Sequence, residues 1–145
     1  MPRAIKHRVP EWIAIGIIAA IPISAWAGSI KIIANPSVKA DSISANEIKS
    51  IFLEEKNSLS DGSRVEPVIE KGGPAHEAFL KDYLDKSDSA LQTYYRSLVF
   101  TGKGSMPKSV GSDAEMAAFV AKTKGAIGYV SEGAAAEGAK TLAVK

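Results

Sequence analysis

A β-type run that passes through two glycines into a helix begun by proline is the most constraining feature of this chain. Residues 68–84 read VIEKGGPAHEAFLKDYL, and the helical pattern begins at Pro74, directly after Gly72 and Gly73. Proline is favoured at the first helical position because its missing N–H group would have no intrahelical partner there, and glycine lets the backbone approach a ligand closely. The N–H groups of the first turn and the helix dipole favour an anion. The pattern therefore predicts a strand–loop–helix joint that is suited to an anion.

The first 27 residues have the pattern of a secretory signal peptide. Three basic residues precede an apolar run at residues 12–23, and residues 25–27 (AWA) fit a small-x-small cleavage site. The alternative is a membrane anchor that is not removed, but the apolar run is shorter than the roughly 20 residues that a spanning helix needs. We predict that residues 1–27 are cleaved and that a mature domain covers residues 28–145.

Composition limits what the mature chain can bind. The leader holds three of the 18 basic residues and one of the 16 acidic residues, so the mature chain is formally neutral and nucleic-acid binding is not expected. A secreted chain without cysteine favours the periplasm over an extracellular space. Its single mature histidine, His76, cannot by itself form a zinc, haem or iron–sulfur site, so we predict no metal and no cofactor.

Periodicity and turn residues predict an α/β fold in which helices cover a small sheet. Predicted strands cover residues 30–34, 64–69, 125–130 and 141–144. Predicted helices begin at Ser44, at Pro74, at Ser87 or Asp88, and at Ser112, and the first should end near Lys56. Ser44 and Ser112 each have glutamate three positions later, which is a capping box. Pro67 indicates an edge position or a bulge in the second strand, and residues 101–111 read as a loop.

Several stretches of the chain resemble the phosphate-binding periplasmic proteins of ABC uptake systems, in the order found there. They are IIANPS at 32–37, IKSIFL at 48–53, DGS at 61–63, VEPVIEKGGPAHEAFLKDYL at 65–84, and FTGKGSMPKSVGSDAEMAAFVAKTKGAIGYV at 100–130. Full-length members have two α/β lobes that close on the anion, and this chain resembles the second lobe alone. The resemblance implies a single lobe of the type 2 periplasmic-binding-protein-like fold, with a small mixed sheet covered by helices.

The same resemblance implies a periplasmic solute-binding-like protein associated with phosphate uptake, and no enzyme. The second-lobe loop of the family normally reads Ser-Gly-Thr, whereas Gly73, Pro74 and Ala75 stand here, so both hydroxyl donors are missing. We therefore expect phosphate or a related oxyanion to bind weakly, or in a homodimer that supplies the missing wall. The expected partners are inorganic phosphate and an ABC permease or other envelope protein. The alternative is a ligand-free interaction or accessory module of an envelope complex.

The candidate site residues follow from the loop and from its family-like surroundings. We predict no catalytic residue. The candidate anion-binding residues are Lys71, Gly72, Gly73, Ala75, His76 and Ser37. The candidate rim contacts are Thr101, Gly102, Lys103 and Gly104, where glycines flank a lysine as in an N–H nest but without Walker A spacing. His76 has two interpretations, a donor to the anion or an exposed first-turn residue without a role, and we favour the second.

Overall fold

A computed structural model describes residues 29–145, and the strands of this part form one mixed sheet. The strands are β1 (Ile30–Ala34), β2 (Ser42–Ile43), β3 (Glu66–Glu70), β4 (Lys108–Val110), β5 (Ala126–Ser131) and β6 (Lys140–Val144). They lie side by side in the order β2-β6-β1-β5-β3-β4. β1 is antiparallel to both of its neighbours, whereas β3 runs parallel to β4 and to β5. The predicted signal peptide lies outside the described residues.

The helices begin where local capping chemistry places them. They are α1 (Ala45–Phe52), α2 (Pro74–Phe79), α3 (Asp88–Phe100) and α4 (Asp113–Lys122), and a π-helical turn at Leu80–Leu84 continues α2. Ser44 and Glu47 form a complete capping box at α1, and Ser87 caps α3. At α4 the predicted capping box forms only in part: Ser112 accepts the N–H of Glu115, but the Glu115 carboxylate accepts the N–H of Gly111, at 2.7 Å, and not that of Ser112. Within residues 29–145, none of the helices has the length and apolar character that a membrane-spanning helix requires.

Helices cover both faces of the sheet, as strand β5 makes clear. Successive residues of a strand point to opposite faces. Tyr129 stacks on Phe79 of α2, with ring centroids 4.0 Å apart and an interplanar angle of 7°, whereas the neighbouring Gly128 faces Met116 of α4. The helix α2 therefore lies on one face of the sheet and α4 on the other. The predicted fold class, a small mixed sheet covered by helices, is confirmed.

Three local predictions need correction. β3 lies inside the sheet, so the predicted edge position of Pro67 is wrong. Proline is tolerated there because β4 pairs with β3 only from Val68 onward, so no residue of β4 stands opposite Pro67 to need its N–H group. The expected loop at 101–111 contains β4, which at three residues is too short to produce a periodic signal. Helix α1 ends at Phe52 rather than near Lys56, and Glu54, with φ 62°, turns the chain away.

The close contact between Met116 of α4 and Gly128 of β5 predicts that Gly128→Ala lowers stability. A Cβ atom at this position would collide with the sulfur of Met116, a fully buried side chain that would have to shift. Overpacking of this kind typically costs about 1–3 kcal/mol. We expect Gly128→Ala to lower the free energy of unfolding in urea by that amount. Gly133→Ala is the control, because its Cβ would meet no heavy atom within 4 Å; equal losses in the two variants would contradict the prediction.

Candidate anion-binding site

The loop that follows β3 lies at the carboxyl ends of three parallel strands. Because β3 runs parallel to β4 and β5, the three strands end at the same edge of the sheet. Ligands of open α/β sheets bind at such an edge. The loop at residues 71–75, called here the anion loop, leaves β3 at this edge and enters α2. The fold thus places the most constraining feature of the sequence where a ligand site is expected.

The anion loop borders open space at its two glycines and leads into the first-turn backbone donors of α2. Lys71 donates its N–H to the carbonyl of Val110 at 2.9 Å, which ties the start of the loop to β4. Gly73 is the N-cap of α2 with φ 99°, a conformation that favours glycine, and it makes no side-chain capping bond. A Cβ atom added to Gly72 or Gly73 would meet no heavy atom within 4 Å. The first-turn N–H groups are therefore the donors that the loop can offer to an anion.

Lys71 adds a positive charge beside these donors. Its side chain is exposed, and within the described part of the chain it takes part in no ion pair that holds it elsewhere. An exposed ammonium group on a flexible stem can approach an anion bound over the loop. Among residues 71–75, Lys71 is therefore the one charged side chain that an anion over the loop would meet.

His76 is buried, so the prediction that it is an exposed first-turn residue is wrong. Only 1% of its surface is exposed. Its Nδ1 lies 2.6 Å from the hydroxyl of Tyr129, and its Nε2 lies 2.8 Å from Oδ1 of Asp88. The first turn of α2 faces the sheet, which puts the imidazole between β5 and the start of α3. Because both ring nitrogens have internal partners, the ring has no free N–H for an anion.

One arrangement of protons satisfies every donor around His76. The Tyr129 oxygen accepts the N–H of Glu70 at 2.8 Å. Burial raises the pKa of the Tyr129 phenol far above its usual range, so the hydroxyl keeps its proton and donates it to Nδ1. The remaining ring proton then lies on Nε2 and is donated to Asp88. All donors in the chain Glu70–Tyr129–His76–Asp88 then point in one direction.

Glu70 is a buried acid that the sequence did not single out. Its residue is 3% exposed, and its Oε2 has no hydrogen-bond partner. Burial first, and then the neighbouring Asp113, raise the pKa of Glu70 to about 8. Asp113, at the start of α4, also accepts the N–H of Ser131 at 3.2 Å. Glu70 is therefore protonated at neutral pH, which keeps a negative charge away from the start of the anion loop.

The structure separates the other candidate residues from the anion loop. Ser37 accepts the N–H of Gly125 at 2.9 Å, just before β5 begins, and thus lies at the opposite edge of the sheet. The rim segment Thr101, Gly102, Lys103 and Gly104 precedes β4, and part of it borders a cavity of about 460 Å³ together with residues 54–57. It too lies at the amino-terminal edge of β3 and β4. Lys71, Gly72, Gly73, Ala75 and His76 are adjacent in space, but Ser37 and the rim segment are not beside them.

Comparison with known proteins shows the fold. No family model matches the chain, and no curated protein matches it in sequence. An ABC-type phosphate transport receptor from Vibrio cholerae matches in structure with a TM-score of 0.54 and 12% identity, over 79% of this chain and 45% of its own. A proposed phosphate ABC transporter substrate-binding protein with bound phosphate, from Clostridium perfringens, matches with a TM-score of 0.60 and 15% identity, over 79% of this chain and 44% of its own. PstS from Borrelia burgdorferi matches with a TM-score of 0.61 and 14% identity, over 81% of this chain and 47% of its own.

The chain has the fold of half a phosphate-binding receptor. It spans less than half the length of these three proteins, which agrees with the half-length relative predicted from the sequence. At 12–15% identity the likeness establishes a solute-binding-like fold and leaves the ligand to be determined from this chain's own residues. The neighbours described by activity are transport and binding proteins.

The raised pKa of Glu70 predicts an unusual pH dependence of stability. A group with a raised pKa in the folded state contributes stability that is complete below its unfolded pKa of about 4.5 and is lost as the pH rises through about 8. We expect Glu70→Gln to gain stability relative to the wild type over this window, by at most about 1.4 kcal/mol per pH unit. Urea unfolding at pH 4, 6 and 9 (roughly the ends and middle of the window) measures the difference. The exposed Glu137→Gln is the control, and a parallel response of both variants would refute the assignment.

Proposed function

We propose that this chain is a periplasmic solute-binding-like protein whose anion loop binds phosphate or a related oxyanion, weakly by itself or in a dimer. The observation that carries the proposal is the strand–Gly-Gly-Pro–helix loop at the carboxyl edge of β3. In this proposal, residues 1–27 direct export and are removed, and the domain of residues 28–145 works with a phosphate ABC uptake system. Support comes from the fold, since its neighbours include a phosphate transport receptor and a protein with bound phosphate.

The chemistry of the loop sets the expected strength of binding. The donors are backbone N–H groups of the loop and of the first turn of α2, assisted by Lys71. Gly73 and Ala75 replace residues that would offer hydroxyl donors. Each hydrogen bond to a charged acceptor contributes about 1.5–3 kcal/mol, so losing two weakens binding by about two to four powers of ten. We therefore expect an affinity in the millimolar range for a single chain.

A second copy is the simplest source of the missing wall. The anion loop borders open space, and the neighbouring receptors are about twice as long as this chain. Homodimers are the commonest way in which identical chains complete a shared site. In such a dimer each copy would cover the loop of the other and exclude water from a bound anion, which strengthens its electrostatic interactions.

Calorimetric titration with phosphate, sulfate and arsenate tests the proposal. We expect millimolar binding, and we expect Lys71→Ala to weaken it about fivefold to tenfold because a direct charge interaction is lost. Lys81→Ala is the matched control, since it removes an equal exposed charge from the distal turn of the same helix. Sedimentation with and without phosphate distinguishes monomer from dimer binding. No heat and no thermal shift at millimolar anion would refute the proposed function.

A second candidate function is a ligand-free interaction module of an envelope complex. Three of the exposed large apolar side chains lie at the end of α3 and in the loop after it: Val99, Phe100 and Met106 are 51%, 92% and 44% exposed. Exposed apolar patches mark contact surfaces, and these three side chains lie within eight residues of the chain. If this candidate is correct, the wild type cross-links to a specific protein in periplasmic extract, whereas Phe100→Ser does not. Added phosphate should not change the cross-linking. Equal recovery with both chains would contradict it.

A further inference from the structure

We infer that Tyr129 is a positioning residue for the anion loop: its hydroxyl holds both ends of the loop, and Asp88 supports it through His76. The inference rests on the proposed function of the loop as an anion site. The same Tyr129 oxygen lies 2.8 Å from the N of Glu70, just before the loop, and 2.6 Å from Nδ1 of His76, just after it. Five residues, 71–75, lie between these two contacts. The two residues that flank the loop therefore contact the same oxygen atom, which belongs to a residue of β5.

The Tyr129 hydroxyl accepts a hydrogen bond from β3 beyond the point where the backbone pairing of β3 with β5 ends. β3 pairs with β5 only at Glu66 and Pro67, although Tyr129 lies further along β5. Glu70, at the carboxyl end of β3, donates its N–H to the Tyr129 side chain instead of to a backbone carbonyl of β5. A buried N–H group without an acceptor is costly, so this side-chain contact satisfies a group that the ladder leaves unpaired. The direction in which the chain leaves β3 therefore depends on this hydroxyl group on the β5 side, together with the bond from the Lys71 N–H to Val110 on the β4 side.

His76 links this point to the start of α3. With the proton arrangement derived above, Tyr129 donates to Nδ1 and Nε2–H donates to Asp88. Asp88 is in the first turn of α3, and its side chain is 53% exposed, so it can be altered without opening the core. Asparagine at this position can still accept the Nε2–H, whereas alanine cannot. Asp88 thus orients an imidazole that contacts no ligand itself.

The hydroxyl of Tyr129 can be removed by substitution without loss of the ring contacts. The Tyr129 ring stacks on Phe79 and lies 6.0 Å from the ring of Phe52, and phenylalanine keeps both contacts. Tyr129→Phe therefore removes the hydroxyl and leaves the aromatic core. Tyr95→Phe is a matched control, because Tyr95 is also fully buried and donates one hydrogen bond, at 2.6 Å to the carbonyl of Phe52, away from the loop.

Amide hydrogen exchange of the full chain, followed by NMR, tests the inference without a ligand. We expect Tyr129→Phe to speed exchange about tenfold or more, beyond any global loss of stability, at Glu70, whose N–H loses its acceptor, and at Glu77, whose N–H bonds to Gly73 at the far end of the loop. Tyr95→Phe should change only the global rate. Asp88→Ala should produce a smaller change at the same amides, and Asp88→Asn should restore the wild-type rate. If Tyr129→Phe does not fold, the Asp88 pair still decides the outcome.

A phosphate titration of the same samples adds the functional readout. We expect Tyr129→Phe to lower phosphate affinity about tenfold while Tyr95→Phe leaves it unchanged. Unchanged loop exchange in Tyr129→Phe, or equal loop effects in Tyr95→Phe, would overturn the positioning role. If the wild type shows no phosphate-induced shift while the exchange pattern is as expected, the proposed anion function fails and the role of Tyr129 in holding the loop stands.

Discussion

The side chain of Tyr129 joins the hydrophobic core to the candidate site, and much of the structure depends on it. Its ring stacks on Phe79 at 4.0 Å, which anchors α2 to the sheet. Its hydroxyl accepts the N–H of Glu70 and contacts His76, so the same residue sets both the path of the anion loop and the first turn of α2. Aromatic side chains combine a large apolar area with a polar group that needs a partner when buried. Here both properties act on the same loop.

The candidate site lies at an edge of the sheet that this chain encloses on one side only. Its donors are backbone groups and one exposed ammonium group, and the buried Glu70, whose pKa is raised to about 8, directly precedes the loop. A neutral carboxyl group at this position avoids the repulsion that an ionised one would exert on an anion. The same edge is open to solvent, since added Cβ atoms at Gly72 and Gly73 meet nothing. This open edge is the reason that weak oxyanion binding is proposed here, and it leaves space beside the loop for a second copy.

The parts of the fold that sequence analysis predicted correctly depend on interactions between residues close in the chain. The serine caps of α1, α3 and α4 bond to groups three residues away, and the β1, β5 and β6 strands show as apolar runs between turn residues. The prediction failed where distant segments decide the outcome. Pro67 indicated an edge position or a bulge, yet β3 lies inside the sheet and the short β4 ends before it reaches Pro67. Ser37 was grouped with the anion loop, yet it bonds to Gly125, 88 residues away.

The sequence by itself determined that a strand, a glycine loop and a proline-started helix form one α/β joint suited to an anion, because these preferences are local to a few backbone groups. Only the tertiary structure decided the role of His76. Its partners, Tyr129 and Asp88, lie 53 and 12 positions away, and no local pattern reveals that they converge on one imidazole. The buried state of Glu70 has the same origin, since its raised pKa comes from burial and from Asp113 of another helix. Burial and long-range contacts are properties of the packed chain, so they arise only once the sheet and helices are assembled.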